Sequence, residues 1–245
     1  MGPRHWFEGV ESTQSLAVAH ARSGGPIGDW FVAGRQSAGH GRGGRRWESP
    51  LGGLYLSMVV PDPPERRTLL PIAVAGRTAA AVSDRYSAPV RLKWPNDLLV
   101  VAPDAPPRKL GGVLVDRIRT PTGVAAVIGV GLNVTTDLLE LPIALRPHTA
   151  RLSEFQDPHP SIEEVEALVV DAIGEALRSL RSATASRALL EGCRARLYGL
   201  GLDVLVDGVP AGIARALGED GALWVEERDA CRPLRTGELT VSEGT

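Results

Sequence analysis

Lys93-Trp94-Pro95-Asn96-Asp97 separates two short apolar runs, 90–93 and 97–101, and its reading decides the fold. Proline has no N–H to give a β ladder, so one strand stops at Pro95 and another starts at Asp97. The turn therefore delivers a cation, an amide and a carboxylate at one place. Taken by itself, the same turn also suits a loop in which Asn96 and Asp97 only bond nearby backbone.

Outward from this turn the chain alternates between strand and helix patterns. Strands are expected at 30–35, 54–60, 112–117 and 124–130, from apolar runs bounded by Gly and Pro. Helices are expected at 14–22, with Ser12 or Thr13 as the cap, and at 65–85, 161–180 and 185–198. Residues 103–107 form a Pro-rich turn, and 138–160 read as loop. From Leu202 onward short β runs are punctuated by Asp207-Gly208 and Asp220-Gly221, which are hairpin signals. The boundary is drawn at Gly199-Leu200-Gly201, giving a domain over 1–199 and a small β domain over 200–245. The fold class is α+β, a mixed β-sheet with flanking helices followed by a small barrel-like β module.

Composition removes several classes. The 245 residues are 43% hydrophobic and 23% charged, ordinary for a globular chain. The apolar stretch 69–82 is broken by Pro71, Gly76 and Arg77, so no membrane span is expected. The first residues, MGPRHWFEGVES, hold no apolar signal core, which points to a cytoplasmic location. Cys193 and Cys231 are too few for a disulfide framework or a thiolate metal site. A net charge of −2 argues against general nucleic-acid binding. Of the 27 basic residues only Lys93 and Lys109 are lysines. Lysine is a compact point charge on a flexible stem, and both copies sit in unusual surroundings.

Three further segments carry chemistry. In residues 35–47, Arg35, Arg42, Arg45 and Arg46 meet no acid before Glu48, while Gly39, Gly41, Gly43 and Gly44 leave backbone N–H groups open. Cations and bare amides together describe an anion site. A strand rather than a helix follows, which excludes a dinucleotide fingerprint, and no G-K-[ST] follows to make a Walker loop. Lys109-Leu110-Gly111-Gly112 opens a buried strand that runs to Asp116, and Gly129-Val130-Gly131-Leu132-Asn133 closes another. Each segment is weak alone, yet all fall at strand ends of one domain.

Ser12-Thr13, Gln36-x-Ala38-Gly39-x-Gly41-Arg42-Gly43, Lys93-Trp94-Pro95-Asn96-Asp97, Lys109-x-Gly111-Gly112 and Gly129-x-Gly131-x-Asn133 resemble the biotin protein ligases in order and spacing. The tail, Gly212-Ile213-Ala214-Arg215 and then Glu219 to Leu223, is similar to that family's C-terminal SH3-like module. The resemblance implies the class II synthetase-like biotin/lipoate ligase fold; because the motifs begin at Ser12, the monofunctional type is expected, without the N-terminal DNA-binding domain that many members carry. It implies biotin and ATP as substrates with Mg²⁺, biotinyl-5′-AMP as intermediate, and the biotin carboxyl carrier domain of a carboxylase as acceptor. No nucleic-acid or membrane partner is implied, and a homodimer stays open.

By the same resemblance Arg42, Lys109, Lys93 and Asp97 are the catalytic candidates. Biotin falls to Ser12, Thr13, Gln14, Gln36, Gly39, His40, Gly41, Arg42, Lys109, Gly111, Gly112 and Gly129. ATP falls to Arg42, Arg45, Arg46, Trp47, Asn96, Lys109 and Asn133, and no protein metal ligands are assigned. Three positions depart from the family pattern. Gln14 stands where Asn is common, His40 where a basic residue is usual, and no Trp or Tyr occurs between 134 and 160 to cover the adenine. The alternative within the fold is a lipoate or octanoate ligase or transferase, which lacks the K-W-P-N-D run. A non-catalytic sensor of the same fold is expected to lose Arg42, Lys93 and Lys109, and all three are present.

Overall fold

Seven strands build the larger sheet: β1 (Arg4–Val10), β2 (Trp30–Gln36), β3 (Gly53–Pro61), β4 (Val90–Lys93), β5 (Asp97–Val100), β6 (Arg108–Thr120) and β7 (Gly123–Asn133). The computed structural model describes residues 2–228 and 230–242. The spatial order is β1-β2-β3-β7-β6-β5-β4. β1 runs parallel to β2 and the other neighbours are antiparallel, so the sheet is mixed.

Four helices flank it: α1 (Thr13–Arg22), α2 (Leu70–Tyr86), α3 (Ile162–Ser179) and α4 (Ala183–Arg196). Ser12 caps α1 by accepting from the Ser15 N–H, and Ser161 caps α3 in a capping box with Glu164. α2 starts five residues later than the apolar spacing suggests. Pro71 tolerates only the first turn of a helix, so residues 67–69 form a separate 3-10 turn. β6 and β7 run past their apolar centres as a long ribbon, since backbone pairing continues where side chains turn polar.

The alternation of strand residues divides the structure into two packed faces. Leu54, Leu56, Met58 and Val60 of β3 and Ile128, Val130 and Leu132 of β7 face α2, α3 and α4 in the main core. The opposite face presents Phe31, Val59, Ile118 and Val127 to Ala17 and Ala21 of α1. β1 was not expected from sequence. It is an edge strand whose residues are mostly exposed, so its apolar signal is thin.

The second sheet holds β8 (Asp203–Val206), β9 (Val209–Leu217), β10 (Leu223–Glu227), β11 (Ala230–Leu234) and β12 (Leu239–Val241), ordered β11-β10-β9-β8-β12 and antiparallel throughout. Asp207 and Gly208 both take positive φ, 52° and 78°, as a two-residue hairpin turn demands. β11 escaped the sequence reading because it contains Pro233, which an edge strand accepts. Residues 243–245 of the expected β domain lie outside the described residues. The main core continues into this sheet through Val204, Leu217, Leu223 and Val225. Among the described residues no helix is long and apolar enough to cross a membrane.

Candidate active site

α1 covers only part of its sheet face. Where it stops, the strands carry Ser57, Gly112, Gly129 and Gly131 instead of bulky residues, which leaves a cleft of about 770 Å³ with the open solvent at its mouth included. A Cβ on Gly129 would stand 2.6 Å from Gln14 Oε1, and one on Gly131 would stand 2.7 Å from Trp47 Nε1. The glycine alternation of β7 thus serves both faces. Ile128, Val130 and Leu132 fill the core, and Gly129 and Gly131 make room for polar side chains above the floor.

The cationic end forms where β5 meets β6. The pairing shifts register between Leu98 and Leu99, so Asp97 and Leu98 face Gly112 and Gly111 while Leu99 faces Lys109. This bulge keeps Leu110 in the core and turns Lys109 onto the cleft side. Lys109 Nζ donates to Asp97 Oδ2 at 2.8 Å and lies 5.4 Å from the centre of the Trp47 ring. Asn96 holds the turn to β6, donating from Nδ2 to the Val113 carbonyl at 2.7 Å. Trp47 Nε1 is buried with no hydrogen-bond partner among the described residues.

The glycine loop closes over this end. Arg42 donates to Thr236 Oγ1 at 3.1 Å, Arg45 pairs with Glu238, and Arg46 pairs with Glu48 at 3.0 Å. The β11–β12 connection of the second sheet therefore touches the loop that carries the arginines. The other end of the cleft is neutral. Thr13 donates its N–H to Gln36 Oε1 at 2.8 Å, and Gln36 Nε2 donates to Ser49 at 2.9 Å. Gln14 donates to Asp116 and to the Val127 carbonyl, and accepts from Ser57.

The cleft brings together Ser12, Thr13, Gln14, Gln36, His40, Gly41, Arg42, Arg45, Arg46, Trp47, Asn96, Asp97, Lys109, Gly112 and Gly129. Gly39, Lys93, Gly111 and Asn133 do not line it. A Cβ on Gly39 would meet the Trp47 carbonyl oxygen at 2.4 Å, and one on Gly111 would meet the Gly131 carbonyl oxygen at 2.4 Å. Both glycines allow close packing behind the wall. Asn133 is buried and donates to the Lys109 carbonyl at 3.4 Å. Lys93 sits behind Asp97, and burial pushes its ammonium pKa down against the pull of Asp97 and Glu238.

Sequence reasoning assigned no role to Tyr55, Leu56, Ser57, Val113, Leu114 and Val130 of the lining, and marked Gly131 only as part of the glycine motif of β7. Ser57 had a readable signal, since it is the one hydroxyl amid the aliphatic run of β3 apart from the phenol of Tyr55. Asp116 is not in the lining and accepts a hydrogen bond from Gln14, which is. Asp97 is the one carboxylate on the wall among the described residues, and no cluster of three His, Cys, Asp or Glu side chains forms a metal cage there.

The model of the biotin/lipoate A/B protein ligase family matches residues 6–133. A biotin–[acetyl-CoA-carboxylase] ligase of Mycobacterium tuberculosis is 32% identical over 180 residues, 62% of this chain and 64% of that protein. The bifunctional ligase/repressor BirA of Bacillus subtilis is 30% identical over 154 residues, 59% of this chain and 44% of that protein. The match thus spans less than half the length of that bifunctional relative. The structure of a biotin protein ligase from Aquifex aeolicus in complex with biotin and ATP superposes with a TM-score of 0.82. It covers 100% of both chains at 25% identity.

Proposed function

Because the chain belongs to the biotin/lipoate A/B protein ligase family, we propose that it is a biotin protein ligase. In the first half-reaction the biotin carboxylate oxygen attacks the α-phosphorus of ATP, forming biotinyl-5′-AMP and expelling pyrophosphate. In the second, a lysine amine of a biotin carboxyl carrier domain attacks the acyl carbon, and AMP leaves. The single observation that carries this reading is the polarity of the cleft. One end holds Lys109, Arg42, Arg45 and Arg46, and the other, around Thr13, Gln14 and Gln36, has no Lys, Arg, Asp or Glu side chain in its lining among the described residues.

That division suits the chemistry. Carboxylate and triphosphate repel, and fixed cations bring them together and stabilise the charge that develops. Lys109 is assigned to the reacting oxygens, with Asp97 holding its ammonium in place. Arg42 is assigned to the α-phosphate, and Arg45, Arg46 and Asn96 to the rest of the triphosphate. Trp47 offers an aromatic face beside them. Lys93 tunes Asp97 from behind, while Gly39, Gly111 and Asn133 support the wall. Ser12, Thr13, Gln14, Gln36, His40 and Gly41 receive the ureido ring and thioether side, over the floor made by Gly112 and Gly129.

Magnesium keeps most of its waters and needs one or two carboxylates plus phosphate oxygens. Asp97 fits that donor set, so the ion would be carried by the triphosphate beside Asp97, supplying charge neutralisation. The division of labour follows the two sheets: residues 1–199 bind both substrates, and 200–245 brace the glycine loop through Thr236 and Glu238. Cys193 and Cys231 are both unpaired, which suits a reducing cytoplasm.

The deciding experiment is ATP-dependent transfer of labelled biotin to a carrier domain, run beside pyrophosphate exchange with biotin, lipoate and octanoate. Biotin alone should stimulate exchange and label the carrier. Stimulation by lipoate or octanoate in its place overturns the reading.

A further inference from the structure

The neutral end of the cleft contains a hydrogen-bond chain whose direction can be worked out atom by atom. Gln14 Nε2 lies 2.9 Å from Asp116 Oδ2 and 3.2 Å from the Val127 carbonyl oxygen, and both are acceptors. The amide therefore turns its Oε1 to Ser57, whose Oγ is 2.9 Å away and must donate. Thr13 Oγ1 is 2.9 Å from Ser57 Oγ. The one Ser57 proton is already committed to Gln14, so Thr13 supplies the proton of that contact. Thr13 also lies 3.1 Å from Gln36 Oε1, another acceptor, so neither arrangement returns its proton to the cleft.

We propose that Asp116 is a positioning residue which, through Gln14 and Ser57, makes the Thr13 hydroxyl a fixed acceptor that selects an acid with an N–H donor at its far end. Without the carboxylate, the longer bond to the Val127 carbonyl is the one contact left that fixes which way the Gln14 amide faces, since the Ser57 hydroxyl can either donate or accept, and the amide can turn over. Its Nε2 then donates to Ser57, Ser57 turns its O–H to donate to Thr13, and the chain reverses. Thr13 then accepts from Ser57 and gives its own proton to Gln36 Oε1, so a lone pair it offered to the cleft is taken.

The consequence is selectivity. Thr13 and Ser57 are 3% and 1% exposed, so a bound ligand removes the remaining water. A cyclic urea offers two N–H groups and satisfies Thr13. A dithiolane or a plain alkyl chain offers none and leaves a buried acceptor unpaired, the situation in which hydrogen-bonding sites discriminate most strongly. The inference rests on the biotin-ligase reading and adds a residue that does not line the cleft.

The test is biotin binding by calorimetry together with biotin-dependent pyrophosphate exchange, in the full chain. Asp116→Ala should weaken biotin by about tenfold to a hundredfold, the range for a lost charge-assisted hydrogen bond. The ATP KM and the exchange rate at saturating biotin should stay near wild type. Asp116→Asn keeps an acceptor for Gln14 and should remain within about threefold of wild type. Gln14→Met should cost a similar factor, and adding Asp116→Ala to it should cost nothing more. Wild-type affinity in Asp116→Ala, or a second full loss in the Gln14→Met background, overturns the proposal. Should Asp116→Ala not fold, wild-type affinity in Gln14→Met overturns it instead. A wild-type protein that does not bind biotin overturns the ligase reading itself, a separate outcome.

Discussion

Lys109 Nζ donates to Asp97 Oδ2 at 2.8 Å across a bulge that breaks the β5–β6 register beside both residues. Lys109 is partly exposed and Asp97 nearly covered, at 39% and 15% of their side-chain surfaces. The pair therefore holds an ammonium at the mouth of the cleft in a fixed direction, ready for an anion that displaces water around it.

Lys109→Ala should leave the fold intact and lower biotin-dependent pyrophosphate exchange on the order of 10²–10³, as loss of a transition-state donor does. Asp97→Ala should cost less in rate, because the cation persists without its guide. Exchange near the wild-type rate in Lys109→Ala would remove this lysine from the chemistry.

Arg42→Gly should loosen retention of the adenylate more than it weakens biotin. The side chain is held among the described residues by a single bond to Thr236 and is free to fold over a phosphate. Released adenylate would then label lysines on unrelated proteins, read by blotting a mixture of bystanders. Labelling confined to the carrier at normal speed contradicts this role.

Gly111 and Gly131 sit on neighbouring strands, yet alanine should act differently at each. At Gly111 the new methyl meets the Gly131 carbonyl at 2.4 Å, so backbone must move, and a loss of about 1–3 kcal/mol is expected. At Gly131 it meets the Trp47 indole at 2.7 Å, and a side chain can yield. Gly131→Ala should melt near wild type while the ATP KM rises, whereas Gly111→Ala should lower Tm. Equal effects on Tm would contradict the distinction.

Glu166 joins β1 and β2 to α3, accepting from Arg4 at 2.7 and 2.8 Å and from Trp30 at 3.0 Å. Burial alone would push its carboxyl pKa up, but these hydrogen bonds outweigh it and hold the pKa below the ordinary value of 4.5. A depressed folded pKa contributes stability above the unfolded pKa, lost as pH falls through the folded one. Glu166→Gln should therefore destabilise the protein at neutral pH, by about 1–3 kcal/mol, and flatten the acid side of the Tm profile below about pH 4. An unchanged acid limb would rule out this carboxylate as its source.

Removing residues 200–245 should cost stability before it costs chemistry. Trp94 is 1% exposed and donates to the Gly221 carbonyl at 3.0 Å, so the cut uncovers an indole and breaks its bond. Each large apolar side chain so exposed costs about 1.5–3 kcal/mol. Circular dichroism melts of the truncated and full chains check this, with equal Tm as the contrary result.

The sequence by itself determined which segments meet at the site, because glycines, prolines and lone polar residues mark strand ends through local backbone chemistry. It placed β4, β5, α3 and the hairpin turn of β8–β9 within a residue or so, since caps, prolines and Asp-Gly pairs are local signals. It named fifteen of the residues that line the cleft. Only the tertiary structure decided which way they face. Strict alternation from Gly112 puts Leu110 on the cleft side and Lys109 in the core, and the bulge exchanges them. β1 and β11 carry little apolar pattern because an edge strand is held by one neighbour's backbone rather than by burial. Asp116 reaches the cleft only through Gln14, 102 positions away in the chain, a hydrogen bond that folding alone creates.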